Sequence, residues 1–181
     1  MTGCRKYFAL LALLLPVFCY AAKPYYGAKL SLPVVTTEPT PMHGAQLMVN
    51  YDPQIFQWRK FNVYFDAGYT HFYVEHAPAN KRINIISAAP VVRYTFNKHG
   101  PILPYFEISI GLSYMDKTRF DDRNLGMHFA FQDRFGFGAF FGRREMLSLG
   151  IHFLHYSNAH LSAHNAGITV PATFDIGFRF S

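Results

Sequence analysis

The residues best suited to chemistry lie in the segment Leu147-Ser148-Leu149-Gly150-Ile151-His152-Phe153-Leu154-His155-Tyr156-Ser157-Asn158. Read with a two-residue period, Leu147, Leu149, Ile151 and Phe153 share one face, and the next two positions of that face are His155 and Ser157. Positions two apart on a strand are separated by roughly 6–7 Å, at ~3.3 Å of rise per residue, so the imidazole can reach the hydroxyl. A serine alcohol is a weak nucleophile until a neighbouring base takes its proton. The pair therefore points to nucleophilic catalysis, with Ser157 as nucleophile and His155 as general base.

The strand that carries this pair is one of a series. Eight segments alternate apolar and polar residues, near 24–35, 43–51, 61–74, 83–96, 102–116, 125–142, 146–158 and 170–180. Each is about as long as the ~9–11 residues a tilted membrane strand requires, and helical spacing is sustained nowhere. In the sixth, Met127, Phe129, Phe131, Phe135, Phe137 and Phe141 oppose His128, Gln132, Arg134, Gly136 and Gly138. In the last, Phe174, Ile176, Phe178 and Phe180 oppose Thr173, Asp175, Gly177 and Arg179. The connections alternate too: turn-like at Asp52-Pro53, 97–100 and 142–144, longer or more polar at 36–42, 75–82, 117–124 and 159–169. Short turns at one end and longer loops at the other are the asymmetry of an outer-membrane barrel.

Composition agrees. Aromatic residues make up 18% of the chain, yet the mean hydropathy is only +0.04, as half-apolar strands require. A soluble sandwich would also alternate, but here the polar face carries charges together with small residues. The expected fold is all-β, an eight-stranded antiparallel transmembrane β-barrel. Such a barrel is just wide enough for side chains to fill it. Asp66, Glu107 and Asp175 should point inward with Arg93, Arg134 and Arg179, because an unpaired buried charge costs several kcal/mol. Tyr156 has inward parity. Tyr105, Tyr69, Tyr73 and Trp58 are expected in the aromatic belts.

Residues 1–21 read as a cleaved secretory signal: Arg5-Lys6, an apolar run from Phe8 to Phe18, then small residues around Ala21. The barrel domain is then 22–181. Cleavage removes Cys4 and Cys19, so no disulfide is expected, and it removes Arg5 and Lys6, lowering the formal charge from +6 to +4. That mild excess suits an anionic lipid surface, and an exported chain has little occasion to meet nucleic acid. If residue 22 starts on the periplasmic side, odd-numbered strands run outward. His155 and Ser157 then face lipid at the outer leaflet, level with headgroups and their first ester bonds. A substrate reaching them there has to be a lipid.

His155-Tyr156-Ser157-Asn158-Ala159, followed by Leu161, Asn165, Gly167 and Ile168, resembles the H-x-S-N-A and N-x-G-I signature of the PagL-type lipid A 3-O-deacylases. The likeness extends upstream through Pro104-Tyr105, Gly111, Leu125-Gly126 and Phe129-Ala130-Phe131-Gln132-Asp133-Arg134, with Gly136 and Gly138. It implies a metal-free and cofactor-free serine hydrolase that removes the 3-position acyl chain of lipid A, the lipid anchor of lipopolysaccharide in the outer leaflet. It also implies a triad completed by Glu, and there this chain departs from the family: the position holds Thr169. Three readings follow: a Ser-His dyad, a degenerate barrel, or another acid in the role.

Asp133 is the candidate acid. If the sixth hairpin turns near Arg144, Asp133 lies directly across from His155, and such neighbours have Cβ atoms ~4.5–5.5 Å apart. Asn158 and Asn165 are candidates to donate to the oxyanion or to hold the loop against substrate. Gly167 is assigned to the turn. His160 and His164 are read as solvated loop residues, two spaced histidines being weak evidence for a metal. The rival to an esterase is a non-catalytic barrel with a structural or adhesin role, and a third reading is hydrolysis of another outer-leaflet lipid ester.

Overall fold

Alternating strands of this number can satisfy every backbone group if each pairs with both neighbours and the last returns to the first. The computed structural model describes residues 23–36, 41–77, 79–97, 99–142 and 146–180, so the expected signal segment 1–21 lies outside the described residues. Its eight long strands are β1 (Tyr25–Val35), β2 (Met42–Asp52), β3 (Phe61–Val74), β4 (Arg82–Thr95), β5 (Ile102–Met115), β6 (Phe129–Phe141), β7 (Leu147–Ser157) and β8 (Ile168–Phe180). Neighbours are antiparallel, and β1 pairs with both β2 and β8, closing the sheet. Closure matters because hydrocarbon tolerates no unpaired sheet edge.

Two connections differ from expectation. The sixth strand begins at Phe129 rather than 125, because Arg119–Phe120 pairs with Arg123–Asn124 in a small hairpin of its own. Gly126, at φ +82°, then donates its N–H to Asn124 Oδ1 at 3.1 Å, and Leu125 turns into the barrel mouth. At the other end Gln57–Trp58 folds back on Phe61 and Asn62, so the connection after Asp52 is a short hairpin extension.

The outer wall is apolar, with Ile110, Leu112, Phe137 and Ile151 exposed along it. Side chains fill the lumen from end to end. At the loop end Phe72, Ile83, Ile85, Met115, Phe120 and Leu154 form an apolar plug with their neighbours. In the middle, Glu107 accepts hydrogen bonds from Lys29 Nζ (2.9 Å), Arg93 Nη2 (2.9 Å) and the Tyr64 hydroxyl (2.9 Å). Arg134 pairs with Asp175 and lies 3.8 Å from Asp66, and His152 sits between Glu107 (2.9 Å) and Asp175 (3.0 Å). Gly136 admits the His152 ring, which comes within 2.6 Å of where a Cβ would stand.

The network is thus three cations against three carboxylates, as expected in sign, but its third cation is Lys29 rather than Arg179. Arg179 instead stacks over Tyr25 and Phe140 at the turn end. Tyr105 also departs from expectation: it is 1% exposed and packs in the lumen on Phe140 and Arg93, because it shares the parity of Glu107. Tyr69, Tyr73 and Trp58 are on the outside as expected.

Glu107 faces both Lys29 and Arg93, so Glu107→Gln should strand buried positive charge. Breaking such a pair costs about 3–5 kcal/mol. Urea unfolding in detergent micelles should show a loss of that size.

Candidate active site

His155 and Ser157 end β7 at its loop end. Tyr156 between them is fully buried, its hydroxyl held by Gln46 (3.1 Å), Thr70 (3.0 Å) and Gln132 (3.1 Å). That inward anchor fixes the alternation, so His155 and Ser157 face out, each half-buried. Phe135 and Phe153 stack at 4.9 Å, and Phe153 lies 6.3 Å from the imidazole, continuing the apolar row into the pair. Ser157 lies beside Met127, Phe129, Asn165 and Gly167, which pack too closely to leave room for a water between them.

The β6–β7 register is the expected one: His155 pairs with Asp133 and Ser157 with Phe131. Asp133 nevertheless does not hold the imidazole. His155 Nδ1 lies 2.8 Å from Thr169 Oγ1, on the opposite neighbour, and no ion pair joins His155 to Asp133 among the described residues. The expectation that Asp133 supplies the partner of Nδ1 is therefore corrected.

The physical reason is a bulge in β8. Along β7 and β8 the pairs run to His152↔Thr173, then resume one residue out of step at Leu154↔Val170 and His155↔Thr169. The slip falls at Pro171, which has no N–H to give the ladder, and proline in a sheet is confined to such irregularities. An extra residue reverses which side chains point inward. Phe174, Ile176 and Phe178 face lipid, whereas Val170 and Ile168 beyond the bulge are fully buried. Thr169 is thereby turned outward beside His155. Unbroken alternation counted back from Phe174 would have sent it into the lumen.

The loop beyond the site is tied down by asparagines. Asn158 is 2% exposed, and its Nδ2 donates to Leu125 O (2.9 Å) and His164 O (2.7 Å). Both amide protons are engaged, so Asn158 anchors the loop and has none to offer an oxyanion. Its backbone N–H donates to Asn165 Oδ1 at 2.9 Å, and Asn165 Nδ2 lies 3.4 Å from His160 Nδ1. Arg123 adds a bond to Gly167 O at 3.0 Å. These ties support Ala159 and His160 in the left-handed region, at φ 51° and 62°, a conformation that costs side-chain-bearing residues about 1–2 kcal/mol each. Gly167 does more than turn the chain. At φ +65°, it also leaves room for the ring, since a Cβ there would stand 3.2 Å from His155 Cε1 and 3.7 Å from Nε2.

Residues 43–173 match the family model for lipid A 3-O-deacylase (PagL). The chain belongs to that family. It is 40% identical over 111 residues to the lipid A deacylase PagL of Pseudomonas aeruginosa, an alignment spanning 61% of this chain and 61% of that protein's length. The corresponding Bordetella bronchiseptica protein is 23% identical over 168 residues, covering 82% of this chain and 91% of the other. A crystal structure of the outer membrane enzyme PagL superposes with a TM-score of 0.66 at 28% identity, covering 84% of this chain and 98% of that one. Neisserial surface protein A, at 13% identity and a TM-score of 0.55, covers 88% of this chain and 97% of its own, and shares the fold. Closed barrel, apolar outer wall and family together make this an outer-membrane protein.

Asp133→Ala should leave turnover within about threefold, whereas Gly167→Ala, which crowds the imidazole, should lower it about tenfold or more. Initial rates of acyl release from purified, folded barrels compare the two.

Proposed function

We propose that this chain is an outer-membrane serine esterase that hydrolyses the 3-position acyl ester of lipid A. The observation that carries the reading is the outward pair: a half-buried imidazole and hydroxyl at the loop end of a lipid-facing apolar row. The family's activity, lipid A 3-O-deacylation, supports the same substrate.

In this mechanism lipid A in the outer leaflet presents its ester at headgroup depth, its acyl chain lying along the apolar wall. Ser157 Oγ attacks the ester carbonyl while His155 Nε2 takes the hydroxyl proton. The tetrahedral intermediate collapses, the sugar 3-oxygen leaves, and His155 returns the proton to it. Water then attacks the acyl-enzyme with His155 again as base, releasing a free hydroxy fatty acid and restoring Ser157. Asn165, which lies beside Ser157, is the side chain we assign to the oxyanion, with Asn158 holding the loop that carries it. No step calls for a metal or cofactor. We propose in addition that residues 1–21 are removed on export, leaving 22–181 as the barrel.

Expression in a host with unmodified lipid A, followed by mass spectrometry, should reveal loss of one hydroxyacyl chain. Ser157→Ala and His155→Ala should each cut that conversion by about 10²-fold or more, with the barrel still migrating as a folded, heat-modifiable species. Unchanged lipid A with wild-type protein would favour the non-catalytic scaffold.

A further inference from the structure

Resting on the Ser-His reading above, we propose that Thr169 is the third member of the site: a positioning residue whose uncharged hydroxyl accepts the His155 Nδ1 proton. A general base works only if its lone pair is on the nitrogen facing the nucleophile, and a third group bonded to the other nitrogen sets that tautomer. Here that other nitrogen is Nδ1, 2.8 Å from Thr169 Oγ1. The contact is made by the fold. The β8 bulge at Pro171 turns Thr169 outward, the ladder sets it directly across from His155, and Gly167 leaves the ring edge unobstructed. Asp133 across the other strand boundary makes no bond to the ring.

A hydroxyl beside Nδ1 holds the ring in place, but unlike a carboxylate it can also donate, and it lacks the charge that stabilises the imidazolium formed during attack. Charge-assisted hydrogen bonds are roughly twice as strong as neutral ones. The site is accordingly a Ser-His-Thr arrangement that has kept orientation and given up electrostatic assistance. Asp133 on β6 lies across the other strand boundary, and in the loops above Arg123 bonds Gly167 O and His160 Nδ1 lies 3.4 Å from Asn165 Nδ2. A carboxylate introduced at residue 169 would lie nearest Nδ1.

The test uses the folded barrel in detergent micelles with lipid A as substrate, comparing Thr169→Val, Thr169→Ser and Thr169→Glu, with Ser157→Ala as control. Thr169→Val should lower kcat about tenfold or more with KM little changed, and Thr169→Ser should restore it to within about threefold. Thr169→Glu should raise kcat about threefold or more, because a charged acceptor at Nδ1 stabilises the imidazolium formed during attack. Independently of activity, ¹⁵N NMR of labelled histidine should report His155 protonated at Nδ1 in the wild type and a mixed tautomer in Thr169→Val. Wild-type kcat and an unchanged tautomer in Thr169→Val, with Ser157→Ala inactive, would overturn the role of Thr169 alone. Should Thr169→Val fail to fold, an unchanged kcat in Thr169→Glu would do the same. Full activity in Ser157→Ala would instead remove the Ser-His reading.

Discussion

A strand in hydrocarbon has its N–H and C=O groups satisfied only by its neighbours, and that requirement organises this molecule. It forces closure of eight strands, closure fixes a narrow lumen, and the two-residue pleat divides every strand between that lumen and lipid. Whatever cannot face lipid has to be packed or neutralised inside. Lys29, Arg93 and Arg134 meet Asp66, Glu107 and Asp175 there, with His152 between two carboxylates. The charges are expensive singly and compatible together, and the rigid wall they produce needs no disulfide.

The site borrows that rigidity. Tyr156 is locked by three hydrogen bonds in the lumen, so the residues on either side of it are held outward whatever contacts they make themselves. Above them the loop is held by Asn158, Asn165 and Arg123, and the small hairpin at 119–124 closes the barrel mouth with Phe120. A reactive pair exposed to lipid thus rests on a scaffold with little freedom, which is what a base and a nucleophile need to meet reproducibly.

Catalytic geometry here also depends on an irregularity. Regular pairing through β8 would bury Thr169 and leave Val170 opposite His155. One extra residue at Pro171 exchanges them, giving the imidazole a hydroxyl to lean on at the cost of a ladder bond that proline could not have made. β-Bulges are common beside active sites because they re-aim one side chain without disturbing the rest of the sheet. The same slip leaves Val170 and Ile168 in the apolar plug, so the packing under the site and the contact beside it come from a single event.

Much of this was legible from residues alone. Strand number, closure, the outward facing of His155 and Ser157 and the β6–β7 register follow from alternation and hairpin length, which are local properties of the chain. Lys29 shares the parity of Gly27 and Ser31, so its inward direction was equally available, and Tyr105 could have been assigned to the lumen from the parity of Glu107. The choice of Thr169 over Asp133 was not available. Hairpin register sets Asp133 across from His155, and an unbroken β8 would set Val170 on its other side; only the three-dimensional position of the bulge, set by how β8 meets β7 and β1 together, brings Thr169 to the imidazole. The engagement of both Asn158 amide protons likewise depends on carbonyls of Leu125 and His164, brought there by loops whose paths no local pattern specifies. Sequence determined the periodic features, because pleat and pairing repeat every two residues; the tertiary structure decided the exceptions, because a break in period is fixed by neighbours distant along the chain.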